Sequence, residues 1–251
     1  MLSIQNVNVI FNKNTDTEKK VLFDLSLIIE KGEFVTIVGH NGAGKSTLVG
    51  VISGEIKVDD GAILFDGTDV TGRSMLQRSR FVSRVFQDPN LNTCGSLTIE
   101  ENLALAYCRG GKRRLIYFIP SARRKIICEA LELLGMGIEK RLKDLMSTLS
   151  GGQRQAVGLI MATLAPSSLL ILDEHTAALD PNMVKIVLDL TLKVAIERNL
   201  TIVMITHSIE TALNIGTRAL ILKEGRIEKD LKGQKDRKEY ENYWQSRTVN
   251  D

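Results

Sequence analysis

Residues 39 to 46 read Gly39-His40-Asn41-Gly42-Ala43-Gly44-Lys45-Ser46 and fit the pattern G-x-x-x-x-G-K-[ST] of a phosphate-binding loop. The apolar run from Phe34 to Val38 lies just before the loop and predicts a buried strand. Residues from Lys45 to about Ser53 are predicted to form a helix whose positive N-terminal end faces an anion. The stretch therefore predicts a nucleoside triphosphate site in an α/β chain.

The residue types of this loop suit that chemistry. Glycines allow the backbone to wrap round the phosphates with its amides pointing inward. Lys45 is expected to bring a positive charge to the β and γ phosphates, and Ser46 is expected to offer a hydroxyl to Mg²⁺. The alternative is a glycine-rich turn with a chance Lys-Ser pair. The strand before the loop and the helix after it argue against that alternative.

Composition places the chain among globular proteins. Of its 251 residues, 43% are hydrophobic, which is ample for one large domain or two small ones. Its 33 Lys and Arg residues nearly balance 30 Asp and Glu residues, so the net charge is only +3. This balance does not favour a surface that neutralises many nucleic-acid phosphates, and no nucleic-acid partner is expected.

Neither a membrane span nor a targeting segment is predicted. The longest apolar stretches, Val157 to Ala165 and Ser168 to Leu172, fall well short of the ~20 residues needed to cross a bilayer. The start of the chain lacks the charged and apolar regions of a signal peptide. Three widely spaced cysteines fit no zinc pattern and are predicted to be unpaired thiols, namely Cys94, Cys108 and Cys128. We therefore expect a cytosolic chain.

Hydrophobic periodicity predicts an α/β chain with an all-helical insert. The predicted strands are Leu2 to Phe11, Val21 to Glu30, Phe34 to Val38, Ala62 to Phe65, Phe81 to Phe86, Ser168 to Asp173, Thr201 to Ile205, Arg218 to Lys223 and Arg226 to Lys229. The predicted helices are Lys45 to Ser53, Thr98 to about Tyr107, Ser121 to Leu134, Ile138 to Met146, Gly151 to about Thr163, and two that begin at Asp180-Pro181 and Ser208. Asp66-Gly67 is predicted as the turn between the strands that end at Phe65 and begin at Phe81, and Glu224-Gly225 as the turn of the last pair.

A second part of the phosphate site is predicted where an apolar strand ends in two carboxylates. Asp173 is expected to hold Mg²⁺ through water, and Glu174 to polarise the attacking water. The alternative is a buried strand followed by a solvated acidic turn. The phosphate loop earlier in the chain favours the functional interpretation.

The segment that decides between families of phosphate-loop proteins is Leu149-Ser150-Gly151-Gly152-Gln153. Its serine caps a helix, and its two glycines expose backbone amides at the positive end, which makes a second anion-binding cradle. With this segment, the chain resembles the nucleotide-binding subunits of ATP-binding cassette (ABC) transporters over essentially Leu2 to Lys229. The family motifs occur in the expected order: Phe11, Gly39 to Thr47, Gln87, Leu149 to Gln153, Asp173 with Glu174, Ala178-Leu179-Asp180, and Thr206-His207.

The resemblance implies a P-loop NTPase fold of ABC type. In this α/β fold a mixed sheet core carries an antiparallel β subdomain and an inserted helical subdomain. The implied ATPase domain covers residues 1–229, with 1–87 and 151–229 as the core and β subdomain and 88–150 as the helical subdomain. Residues 230–251 are expected to be a short charged tail.

The resemblance also implies the cofactors, ATP and Mg²⁺, and the residues that contact them. Glu174, His207 and Gln87 would be catalytic, with His207 donating to the γ-phosphate and Gln87 reporting nucleotide occupancy to a membrane partner; a capping role for Gln87 is the alternative. Phe11 would stack on adenine, with Phe23 as a less favoured alternative. The implied ATP contacts are Phe11, Gly39, His40, Asn41, Gly42, Ala43, Gly44, Lys45, Ser46, Thr47, Ser150, Gly151, Gly152, Gln153 and Asp180. The implied magnesium ligands are Ser46, Gln87 and Asp173.

Two local features need a separate interpretation. The family commonly has proline after the Asp-Glu pair, whereas this chain has His175, which we expect to be structural. Segment 109–125 is basic with an apolar and aromatic centre, and we expect it to face the anionic membrane or the permease. An ordinary surface loop is the alternative for that segment.

The functional expectation is an ATP-hydrolysing subunit that powers a separate transmembrane permease. The resemblance implies a dimer of ATPase subunits with shared ATP sites, peripheral on the cytoplasmic face of the membrane. An importer with an extracellular solute-binding protein is favoured. The run from Asp173 to Pro181 is similar to importers paired with permeases of the branched-chain amino acid type, which suggests an amino-acid-like solute. A soluble role, as a cofactor-assembly scaffold or a translation factor, is the alternative.

Overall fold

The chain folds as two units, which are described separately. The computed structural model describes residues 1–109, 121–176, 179–233 and 236–240. Residues 1–78 and the chain from Thr201 onward form the first unit, and residues 79–200 form the second. The predicted boundaries of the helical subdomain, at residues 88 and 150, stay a prediction.

The secondary structure alternates between strands and helices along the chain. The strands are β1 (Leu2–Phe11), β2 (Lys19–Ile29), β3 (Phe34–Val38), β4 (Asp60–Phe65), β5 (Thr68–Asp69), β6 (Val82–Val85), β7 (Leu169–Asp173), β8 (Thr201–Ile205), β9 (Arg218–Lys223) and β10 (Arg226–Lys232). The α-helices are α1 (Lys45–Ser53), α2 (Met75–Arg78), α3 (Pro89–Asn92), α4 (Ile99–Tyr107), α5 (Ser121–Glu132), α6 (Gly151–Leu164), α7 (Pro181–Arg198) and α8 (Ile209–Ile215).

Strand β3 lies inside the mixed sheet of the first unit, where the strand order is β10-β9-β3-β8. Every residue of β3 is buried. It runs parallel to β8 and β9, while β10 is antiparallel to β9. A short run that is apolar except for Thr36 suits a parallel strand that is covered on both faces. The same unit contains an antiparallel sheet in the order β2-β1-β4-β5, so the predicted mixed and antiparallel sheets are both confirmed.

The second unit combines a strand pair with helices. Strands β6 and β7 pair in parallel. Helix α4 begins with the predicted capping box, in which Thr98 Oγ1 accepts a hydrogen bond from Glu101 N at 3.2 Å and Glu101 Oε2 accepts one from Thr98 N at 2.7 Å. Such reciprocal bonds satisfy amides that have no partner inside the helix. Within the described residues, no helix is both long and apolar enough to span a membrane.

The predicted helix from Ile138 to Met146 is wrong. The structure has only two short 3-10 turns at the ends of this stretch. Between them the carbonyl of Leu142 accepts a hydrogen bond from Glu100 N at 2.9 Å. The carbonyl of Asp144 accepts one from Ile99 N at 3.0 Å. These carbonyls stabilise the start of α4 instead of continuing a helix of their own.

The predicted position of the Asp66-Gly67 turn also needs correction. The turn joins β4 to the short strand β5, with which β4 pairs, and not to the strand that begins near Phe81. Strand β5 and helix α2 were not predicted because elements of two to four residues show no hydrophobic period. Strand β10 continues past the predicted end at Lys229 to Lys232.

Several sequence predictions fall on residues outside the described ranges. These are the centre of the basic and aromatic segment, residues 110–120, then Ala177 and Ala178 before Asp180, and residues 241–251 of the charged tail.

Arg78 connects the C-terminal end of α1 to the loop before α2. Its side chain is only 1% exposed. Nη1 donates to the carbonyls of Val51 and Ile52 at 2.7 and 3.0 Å. Nη2 donates to the Thr71 carbonyl at 3.0 Å, and Nε donates to the Arg73 carbonyl at 3.1 Å. The guanidinium thus bonds carbonyls at the end of α1, of which Val51 O also accepts from the C-cap amide of Gly54 at 3.3 Å.

Replacing Arg78 by Met should lower the free energy of unfolding by about 3 kcal/mol, because buried carbonyls that lose their donor cost roughly 1–3 kcal/mol each. Urea unfolding followed by circular dichroism measures the change. Arg80 is exposed, so Arg80→Met is the matched control and should change stability by less than about 0.5 kcal/mol. Equal effects of the two substitutions would contradict this role of Arg78.

Candidate functional site

The phosphate loop leads into a helix whose first amides are not capped by a side chain. Helix α1 follows Gly44, and among the described residues no side chain caps this helix. Side chains cap five other helices, namely α3 through Asp88, α4 through Thr98, α6 through Ser150, α7 through Asp180 and α8 through Ser208. The first turn of α1 also contains no acidic residue. Its N-terminal amides are therefore suited to an anion from outside the chain.

Two glycines of this loop are required by its backbone. A Cβ at Gly39 would overlap the carbonyl oxygen of Leu222 in β9. Gly44 has a φ of 100°, in the left-handed region that favours glycine. Lys45 is buried, and its Nζ donates to the carbonyls of Gly39 and His40 at 2.7 and 3.1 Å. The ammonium group is thus held within the loop that it is predicted to serve.

His207 lies near the start of the phosphate loop. A cavity of about 860 Å³ is lined by His207 together with Gly39, His40 and Asn41. The backbone holds this arrangement, because Thr206 N at the end of β8 donates to Ile37 O in β3 at 3.1 Å. The predicted juxtaposition of a histidine and the phosphate loop therefore exists within the first unit, while the contact with a γ-phosphate stays a prediction.

The two aromatic candidates for adenine stacking have different surroundings. Phe11 is 39% exposed at the end of β1. The ring of Phe23 has cations near it, with Lys20 Nζ 5.2 Å and the Arg226 guanidinium carbon 5.3 Å from its centroid. An exposed ring is suited to stacking on a base, whereas the Phe23 ring already makes cation-π contacts. Phe11 remains the predicted adenine contact.

The predicted carboxylate pair lies at the end of β7 in the second unit. Asp173 Oδ2 accepts a hydrogen bond from Arg84 Nη2 at 2.6 Å. Glu174 has a φ of 46°. A left-handed backbone is uncommon for glutamate and persists where the surrounding structure holds it, often at functional sites. Glu224, in the turn between β9 and β10, has the same conformation with a φ of 47°, and the catalytic role of Glu174 stays a prediction.

The signature segment begins helix α6. Ser150 Oγ accepts from Gln153 N at 3.3 Å, and Gln153 Oε1 accepts from Ser150 N at 3.2 Å. Gly151 is exposed at the first turn of the helix. Asp180, predicted to contact nucleotide, here serves as the N-cap of α7, and its Oδ1 accepts from the amides of Asn182 and Met183 at 3.1 Å. Ser150 and Asp180 therefore both have a structural role besides the predicted one.

Gln87 lies beside the signature segment within the second unit. Its side chain is exposed just after β6. A cavity of about 200 Å³ is lined by Gln87, Leu149, Gly151 and His175, among others. The structure thus brings together two motifs that are far apart in sequence.

Sequence reasoning missed the residues that fix this junction. Gln155 is fully buried, and its Nε2 donates to Phe86 O at 3.0 Å. Asn92 Oδ1 accepts from Phe86 N at 2.8 Å, and Asn92 Nδ2 donates to Gln155 Oε1 at 3.3 Å. A glutamine among the apolar residues of α6 was the available signal. It did not identify the partner, which is 69 positions away in the sequence.

Arg109, the first residue of the predicted basic segment, points to the protein instead of a membrane. Its Nη2 donates to the carbonyls of Ala162 and Ala165 at 2.9 and 3.2 Å. These carbonyls lie at the C-terminal end of α6, where a cation is favourable. The membrane-facing role predicted for segment 109–125 therefore does not extend to Arg109.

His175 is an interior residue. Its side chain is 2% exposed, Nε2 lies 3.5 Å from Thr191 Oγ1, and Nδ1 has no hydrogen-bond partner within the described residues. Burial lowers the pKa of His175 to about 4, so the ring is neutral near pH 7. This environment agrees with the predicted structural role.

The predicted magnesium ligands are oxygen donors, and each unit contributes one or more of them. Among the described residues no group of three or more His, Cys, Asp or Glu side chains could hold a metal by itself. Mg²⁺ in nucleotide sites usually takes only one or two protein oxygens and completes its shell with phosphates and water. The exposed hydroxyl of Ser46 in the first unit is an oxygen ligand of that kind, and so is the carboxylate of Asp173 in the second unit. Their binding of one ion stays a prediction.

Comparison with known families identifies the class of protein. The model of the ABC transporter family matches residues 22–177, which is more than half of the chain. The chain therefore belongs to the ABC transporter family, and it is an ATP-binding and ATP-hydrolysing cassette.

The chain is also similar to individual members of the family. The chain is 43% identical over 234 residues to the tyrosine transport ATP-binding protein of Clostridioides difficile, with 92% of each chain covered. It is 36% identical to the methionine import ATP-binding protein MetN of Corynebacterium efficiens, with 90% of this chain but only 61% of that protein covered. A solved dimeric ATP-binding cassette bound to ADP and Pi has 28% identity and a TM-score of 0.80, covering 92% of this chain and 98% of the other.

Lowering the pH should destabilise the protein through His175. Its folded pKa of about 4 lies below an unfolded value of about 6.5, so the unfolded state binds more protons between these values. The free energy of unfolding should fall by about 2 kcal/mol between pH 7 and pH 5 from this residue alone. Urea titrations should show a flatter pH slope for His175→Gln and an unchanged slope for Arg80→Met, whose side chain is exposed. Parallel slopes for all three proteins would rule out this contribution.

Proposed function

We propose that the chain is the ATPase subunit of an importer and drives a separate membrane permease. The observation that carries the ATP-dependent part is the uncapped start of α1, where the loop contains a buried Lys45 and the first turn lacks acidic side chains. Phosphate oxygens would accept hydrogen bonds from the first amides of α1, which in other helices are bonded to capping side chains. The relatives named for tyrosine transport and methionine import support import of an amino-acid-like solute.

The catalytic assignment follows the family motifs. Ser46, Asp173 and Gln87 would hold Mg²⁺ directly or through water, and Mg²⁺ would neutralise charge on the phosphates. Glu174 would orient the attacking water and accept its proton, while His207 would donate to the γ-phosphate. Phe11 would stack on adenine. The remaining ATP contacts would be residues 39–47 of one subunit with Ser150, Gly151, Gly152, Gln153 and Asp180 of a second.

The assembly would be a dimer of ATPase subunits bound to a permease at the cytoplasmic face of the membrane. The signature amides of one subunit would close over ATP held by the phosphate loop of the other, and hydrolysis would release them. The solved relative that is a dimer with ADP and Pi supports this arrangement. A permease of the branched-chain amino acid type and an extracellular solute-binding protein would complete the system.

Glu174→Gln should form a long-lived dimer with Mg²⁺ and ATP. The substitution removes the group that accepts the proton of the attacking water, which typically costs ~10² to 10⁴ in rate, but it keeps the phosphate contacts. Size-exclusion chromatography with light scattering measures the dimer, and Lys45→Ala should be monomeric and nearly inactive as an ATPase. Adding Ser150→Arg to Glu174→Gln should abolish the dimer, because a large side chain would block the second anion cradle. A monomeric Glu174→Gln protein, or an undiminished dimer in the double variant, would count against the shared site.

Solute uptake tests the transport role. Deleting the gene in its host should reduce uptake of labelled tyrosine, with methionine as the second solute to be measured. The parent gene and a Cys94→Ser variant, altered at an exposed thiol, should restore uptake, whereas Glu174→Gln should not. Unchanged uptake of both amino acids alongside normal ATPase activity would favour another solute or a role outside transport.

A further inference from the structure

Arg84 forms an ion pair with Asp173, whose carboxylate is the proposed magnesium ligand. The contact of 2.6 Å joins Arg84 Nη2 to Asp173 Oδ2, and the two side chains are only 13% and 14% exposed. In the parallel pairing of β6 and β7, Arg84 lies opposite Ile171. Asp173 is two residues further along β7, so its side chain points to the same face of the strand pair as Ile171. The ion pair therefore follows from the strand register.

The Arg84 guanidinium also makes a cation-π contact with the ring of Phe86. The Arg84 guanidinium carbon lies 4.4 Å from the centroid of the Phe86 ring. The backbone of Phe86 is itself held by Asn92 and Gln155. A guanidinium between a ring and a carboxylate has a defined position, and the cation-π contact adds to the attraction.

Charge explains why this carboxylate needs a partner. A largely buried carboxylate without a cation or donors is strongly unfavourable. In the protein without nucleotide or metal, Arg84 supplies that cation. A divalent ion at Asp173 would also lie within a few ångströms of the guanidinium, and the repulsion between two cations in a partly buried place weakens metal binding.

We infer that Arg84 is a positioning residue that serves as a resident cation for Asp173. It neutralises the carboxylate before nucleotide binds and opposes the approach of Mg²⁺ until the phosphates of ATP add their negative charge. Binding of the metal is then coupled to binding of the nucleotide. This inference rests on the proposed function, because it takes Asp173 as a magnesium ligand.

The free Mg²⁺ concentration that half-saturates ATP binding tests the inference. It is measured by isothermal titration in a Glu174→Gln background, so the readout is binding and not hydrolysis. Arg84→Gln keeps a donor but removes the charge, and it should lower this concentration at least about tenfold. Arg84→Lys keeps the charge and should stay near the parent value. Arg141→Met is the matched control, because Arg141 forms an exposed ion pair with Asp144 at 2.8 Å, and it should have no effect.

A stability measurement without nucleotide tests the ion pair itself. Arg84→Gln should lower the melting temperature, and adding Asp173→Asn should restore much of the loss because no buried charge is then left unpaired. If Arg84→Gln does not fold, the double variant should still fold. If the two substitutions lower the melting temperature additively, or if the double variant also fails to fold, the inference is overturned.

The two proposals fail in different ways. An Arg84→Gln protein that binds ATP with an unchanged or higher Mg²⁺ requirement would reject the resident-cation role and leave the proposed function intact. A parent protein that binds no ATP would reject the proposed function and the inference together.

Discussion

The close approach of the phosphate loop to the β9–β10 hairpin holds the nucleotide end of the first unit in place. A side chain at Gly39 would overlap the backbone of Leu222. Further along the loop, Gly225 N in the hairpin turn donates to Ala43 O at 2.9 Å. One end of the loop thus packs closely against backbone and the other end is hydrogen-bonded to backbone, so its path is fixed by the hairpin. The uncapped amides of α1, the position of Lys45 and the neighbouring His207 all depend on that path.

In the second unit a similar constraint operates through side chains. Gln155 of the signature helix and Asn92 of α3 hold the backbone of Phe86, the residue before Gln87. Buried amide side chains whose donors and acceptors are paired specify one arrangement, because breaking it leaves polar groups unsatisfied. The backbone just before Gln87 is therefore bonded to the helix that presents Ser150.

His175 is compatible with the left-handed backbone of Glu174, the residue before it. A residue that precedes proline is restricted to extended conformations, whereas Glu174 has a φ of 46°. Histidine in place of the proline common in the family permits that conformation. Its ring fills an interior position next to Thr191. The departure from the family pattern is thus compatible with the backbone at Glu174, and the carboxylate itself is retained.

The sequence by itself determined the features that depend on neighbouring residues. Strands β3 and β8 and helix α1 have the predicted bounds, and the caps at Thr98, Asp180 and Ser208 occur where their residue types indicated. Local patterns suffice there because apolar runs and capping bonds span only a few positions. Only the tertiary structure decided that residues 138–146 are not an α-helix, that Gln155 bonds to Phe86, and that Arg84 pairs with Asp173. Those outcomes depend on hydrogen bonds and charges from distant segments, which compete with local preference once the chain has folded.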